Sequence, residues 1–214
     1  MTTTLTTTEF RIDITDRALG RNLPQVAGNR LWRPMLVMAL MAFPAGVILA
    51  VIRSNAIATG SDASTIASLG HFGPAVMFTG FAAVFAAISF AIARILGELR
   101  VGGGRLQEST GAQVETLKMP STARAFIGLM AMSMMILLAA IIAHFVIGAR
   151  IAGGSASALA TSEQWAIWLE GIRRFGVALY LLAIAFGLST IIHVLRFQSI
   201  RVRELPQEAH AHHG

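Results

Sequence analysis

Four apolar runs dominate the alternation of hydrophobic and polar positions along the chain: Pro34 to Ile52, Phe72 to Ala93, Ala125 to Ala149, and Phe175 to Leu195. None of them contains Asp, Glu, Lys or Arg. A helix needs about 20 residues to cross a hydrocarbon core of roughly 30 Å. An unsatisfied peptide group costs several kcal/mol in that medium, so the runs must be helices rather than loops or open strands. The pattern therefore predicts an all-α integral membrane protein, a four-helix transmembrane bundle over residues 34–197. A polar segment, residues 1–33, precedes it, and a tail, residues 198–214, follows.

A different periodicity precedes the fourth run. Thr161 and Gln164 have the spacing of a capping box, and Trp165, Trp168, Leu169 and Ile172 recur at i, i+3, i+4 and i+7. This predicts a short amphipathic helix lying in the membrane interface. Small residues mark where the spans should meet, because helices in lipid associate by close contact and interhelical hydrogen bonds. Gly80, Ala83, Ala87 and Ala91 form such a stripe on the second span. Ser133, Ala140, His144 and Gly148 do so on the third, and Gly176, Ala183 and Gly187 on the fourth. Phe78, Phe81 and Phe85 are expected on a separate, bulkier face of the second span, and Pro44 should kink the first.

Composition agrees with this picture: 55% of residues are hydrophobic and only 13% charged, which does not fit a soluble domain. The net charge of +6 is membrane topology rather than a nucleic-acid footprint, since there is no polar basic domain on which nucleic acid could lie. Thirteen positive residues fall in residues 1–33, in the loop between spans two and three, and after span four; four fall in the other two loops, as Arg53, Arg150, Arg173 and Arg174. The positive-inside rule then puts both termini in the cytoplasm, and the expected location is a bacterial cytoplasmic (inner) membrane. Gly102, Gly103 and Gly104 read as a flexible hinge in the cytoplasmic loop. No phosphate-binding frame surrounds them.

The absence of cysteine excludes disulfide frameworks, thiolate metal sites and iron–sulfur clusters, so any metal must use His, Met or oxygen. With no acid or strong base inside a span, histidines are the ionisable groups within or beside the apolar runs. His144 lies about six residues, roughly 9 Å, from Arg150 at the outer boundary. His71 opens the second span in Gly70-His71-Phe72-Gly73-Pro74. Consecutive spans run antiparallel, so His71 and His144 share the outer half and could supply both axial ligands of haem b. Ala140 and Gly148, at i−4 and i+4 from His144, leave room beside that ring.

Two plainer roles stand beside this one: His144 as a hydrogen-bonding residue across the bundle, and His71 as an interfacial cap. His193, near the cytoplasmic end of span four, is satisfied by Ser189 or by headgroup water. Met35, Met38, Met130 and Met134 would suit Cu(I), although methionine is more often a gap filler. His210, His212 and His213 form at most a metal-binding composition in a solvated tail.

Three functions follow. The first is a haem-bearing electron-transfer subunit of an oxidoreductase, passing electrons between the quinone pool and a partner protein. The second is a cofactor-free membrane anchor or accessory subunit of a larger complex, and the third a copper or small-solute carrier. In the first two, other subunits of a membrane complex are required, because the loops are too small to hold a catalytic domain. The charge asymmetry is directly testable. Reporter fusions in the loop between spans two and three and at the C-terminus are expected to report cytoplasm, and a fusion within Ser54 to Gly70 the opposite side. An external C-terminus would contradict an even number of crossings.

Overall fold

The computed structural model describes residues 10–14 and 23–213. Its elements, in chain order, are β1 (Ile12–Ile14), α1 (Leu23–Ala58), α2 (Ala63–Ser109), β2 (Glu115–Leu117), α3 (Ser121–Ala152), α4 (Ala156–Ala160) and α5 (Ser162–His213). Among the described residues the protein is thus all-α apart from one small antiparallel strand pair, in which Ile12 faces Leu117 and Ile14 faces Glu115. Helices α1, α2, α3 and α5 are each long and apolar enough to cross a membrane, so the chain is an integral membrane protein. With 47 residues in α2 and 52 in α5, both greatly exceed the roughly 20 that a bilayer needs. Their surplus turns carry the polar sequence that follows spans two and four.

Several boundaries differ from those expected. The segment Thr161 to Ile172 is not a separate helix: Ser162 opens α5, which continues without a break into the fourth apolar run. Nothing between Ile172 and Phe175 has a reason to stop it, since no proline is present and Glu170 pairs forward with Arg173 and Arg174. The short helix preceding the fourth long one is α4, capped by Ser155, whose hydroxyl accepts from the Ala158 amide. Gly102, Gly103 and Gly104 lie inside α2 rather than in a hinge. The connection between α1 and α2 is also shorter than expected. Asp62 caps α2 there, its carboxylate accepting from the Thr65 amide at 3.0 Å and the Thr65 hydroxyl at 2.7 Å. Bonds from the Ser64 and Thr65 side chains, together with that amide, push its pKa down to about 2.

The chain forms two compact units, and each of the four long helices contributes residues to both. The first comprises Met1–Leu31, Ser89–Ile127 and Ala183–Gly214. Here α1 meets α2 at Gly28, where a Cβ would stand 2.6 Å from the Phe90 carbonyl oxygen. Gly187 of α5 packs against Ile92 and Phe126, and the Thr190 hydroxyl bonds that of Thr122 at 3.0 Å. Arg201, only 1% exposed, ties the strand pair to the helices. It bonds Gln107 Oε1 and the Gln113 carbonyl and lies 3.6 Å from Glu115 and 3.5 Å from Glu204. Gln107 completes the clamp by bonding both the amide and the carbonyl of Glu115.

The second unit comprises Trp32–Ile88 and Gly128–Leu182. Ser133, Ala140, His144 and Gly148 are all buried on one stripe of α3, as their spacing predicts. The Ser133 hydroxyl reaches the Gly176 carbonyl at 2.5 Å, and a Cβ on Gly176 would meet Leu137 at 3.0 Å. Gly80 receives Phe43 in the same manner. The phenylalanines of α2 do not share a separate face: Phe81 is exposed, whereas Phe85 is buried and stacks on Tyr180 with centroids 4.7 Å apart. The Tyr180 ring supplies Phe85 with an aromatic partner inside the core, which draws it away from the separate face expected for it.

The small-residue seam in the first unit gives a comparison between neighbours in sequence. Gly187→Leu must displace Ile92 and Phe126, whereas Leu188 is 51% exposed and its truncation forfeits little packing. Gly187→Leu is expected to lower thermal stability in detergent well beyond Leu188→Ala. Equal tolerance would place the wrong face of α5 inside.

Candidate functional site

In the second unit α2 and α3 bring His71 and His144 together. Both imidazoles are buried, at 2% and 1% exposure, and their Nδ1 atoms are 3.0 Å apart. The ring centroids lie 5.1 Å apart with planes inclined at 50°. Local sequence explains the approach. Gly148, one turn beyond His144, has no side chain, and a Cβ there would stand 3.0 Å from the Phe72 ring. The residue beside His71 thus occupies space that α3 leaves open.

A neutral imidazole carries one N–H and one bare nitrogen. One Nδ1–H of the pair therefore donates to the bare Nδ1 of the other ring. That single bond joins α3 to α2. Nε2 of His144 is buried and has no hydrogen-bond partner.

Arg173, read in the sequence only as a topological charge, belongs to this neighbourhood together with Glu170. Arg173 is 5% exposed and acts electrostatically on both histidines, and Glu170 acts on His144. The Arg173 guanidinium lies over the Phe78 ring at 4.2 Å and donates through Nη2 to Glu170. Its Nε and Nη1 have no hydrogen-bond partner. The spacing of Glu170, Arg173 and Arg174 at i, i+3 and i+4 was the available signal, and it pointed to pairing along one helix face.

The other candidates lie elsewhere. His193 belongs to the first unit, is exposed, and packs against Phe10 with centroids 5.2 Å apart rather than into the pair. Met38 is exposed, and Met35, Met130 and Met134 are half-buried. The backbone of His210, His212 and His213 continues α5, while their side chains lie outside the described residues. Among the described residues no group of three His, Asp or Glu side chains is arranged to hold a metal ion.

The pair can be tested for fit to haem b by its contact. Axial ligands of one iron face each other across the macrocycle. Here the rings hydrogen-bond to each other directly, as an imidazole dyad. The unpartnered Nε2 of His144 is the ring atom with ligating capacity to spare.

Protein-family models, curated proteins and solved structures were compared with the chain, and none matches.

The dyad predicts a measurable coupling. His71→Ala and His144→Ala should each destabilise the protein by about 1–3 kcal/mol, the cost of stranding a buried polar partner. The double variant should lose less than the sum, with a coupling of about 0.5–1.5 kcal/mol in a double-mutant cycle of unfolding in detergent. Strict additivity would mean that the two rings do not interact.

Proposed function

We propose that the protein is an accessory subunit of a larger complex in a bacterial cytoplasmic membrane, one that works without a cofactor of its own and anchors or orders partner subunits. The observation that carries this reading is the 3.0 Å contact between the two Nδ1 atoms, which uses each imidazole to join helices. Such a bond is a structural link inside hydrocarbon, where helices have little hydrophobic drive to associate. The connections between the long helices are too short to house a catalytic domain. Chemistry must then come from a partner, and the subunit's part is to hold that partner in the bilayer.

A second reading is favoured by one specific observation, the unpartnered Nε2 of His144. In it the protein is an electron-transfer subunit between the quinone pool and a partner protein. His144 would bind the iron of haem b through Nε2, and His71 would either orient that ring or part from it to become the second ligand. When bound, haem would supply one-electron chemistry. Nothing among the half-buried methionines gives copper transport a comparable argument.

A visible spectrum of dithionite-reduced protein, purified mildly from its native membrane with its partners, separates the two. The accessory reading expects no b-type α-band and co-purification of a stoichiometric membrane partner. A sharp α-band that disappears in His144→Ala would overturn it in favour of electron transfer.

A further inference from the structure

We infer that the second unit contains a binding site for a phosphate-bearing anion, formed by Arg53 and Arg173 and independent of the histidine dyad's function. Both arginines line one cavity of about 400 Å³. Ser54 adds a hydroxyl, and Ile57, Met77 and Phe78 give the cavity an apolar wall. No acidic side chain is among the described residues lining it.

Charge and hydrogen bonding both point to an anion. Arg173 is 5% exposed, yet its Nε and Nη1 lack hydrogen-bond partners. Burying a guanidinium without partners is costly, and buried charges are ordinarily paired. The one carboxylate beside it is already divided: Glu170 accepts from Arg173 Nη2 and also from Arg174 Nε, the latter at 2.7 Å. One negative charge thus serves two positive ones. The exposed Arg53 adds another, its guanidinium lying over Gly70, where a Cβ would meet it at 3.4 Å. Phosphate offers several acceptor oxygens to the forked donors of two guanidiniums. The apolar wall suits an acyl chain, so the phosphate can come from an anionic phospholipid or from a soluble phosphate compound.

The test uses the full chain, with phosphatidylglycerol, phosphatidylcholine and inorganic phosphate as probes and native mass spectrometry and thermal shift as readouts. Arg53→Ala is the principal variant because the exposed side chain can be removed with the fold intact, as circular dichroism would verify. Arg173→Lys is the second; it keeps the charge and removes the fork. For a lipid source, wild type retains phosphatidylglycerol over phosphatidylcholine, and Arg53→Ala weakens that retention about tenfold. For a soluble source, inorganic phosphate raises the melting temperature of wild type, and Arg53→Ala abolishes the shift. Arg173→Lys should weaken whichever ligand binds. Equal retention of the two lipids without a phosphate shift, or binding unchanged in both variants, would overturn the proposal.

Discussion

In hydrocarbon every peptide group must find its partner within its own segment, and the rest of this structure depends on that constraint. It turns four apolar runs into four long helices and leaves the backbone little to offer between them. Contacts between helices then have to be made by side chains. Small residues allow close approach at Gly28, Gly80, Gly176 and Gly187. The few polar side chains buried beside such seams acquire unusual weight. Ser133 spends its hydroxyl on the Gly176 carbonyl, and His71 and His144 spend a ring nitrogen each on the other.

Two buried arginines show how the same scarcity of partners is handled differently. Arg201 is surrounded by Gln107, Glu115, Glu204 and the Gln113 carbonyl, and this network fastens a three-residue strand to long helices. A pair of such short strands has little stability by itself. Arg173 has one shared carboxylate and an aromatic face, which leaves two donor nitrogens unmatched. The first arrangement is closed and structural, whereas the second is open to a ligand.

The four spans were legible in the sequence because uninterrupted apolar length reports lipid directly. The small-residue stripe of α3 was legible because helical spacing puts those residues on one face. Depth and antiparallel order also brought His71 and His144 into the same neighbourhood on paper, and the structure joins them. Their manner of joining was not legible, since axial ligation and direct bonding demand the same depth and differ only in which ring atoms meet. Arg201 and Arg173 could not be recognised as buried, because charge counting treats every arginine alike. The Arg201 partner Gln107 lies 94 positions away in sequence. The ends of the helices were misjudged for a related reason: hydropathy marks where lipid stops, not where the helix stops. The triple glycine and the amphipathic turn at Trp165 both continue helices, through packing and local ion pairing that lie outside a hydropathy profile.

The central claim is that His71 and His144 form a direct Nδ1–Nδ1 hydrogen bond inside the membrane domain. Magnetic resonance of the full chain, labelled with nitrogen-15 histidine and embedded in lipid bilayers, addresses that bond itself. The account predicts a correlation between the two Nδ1 resonances transmitted through the shared proton. Two uncorrelated imidazoles, or resonances of both rings displaced by a paramagnetic iron, would contradict it.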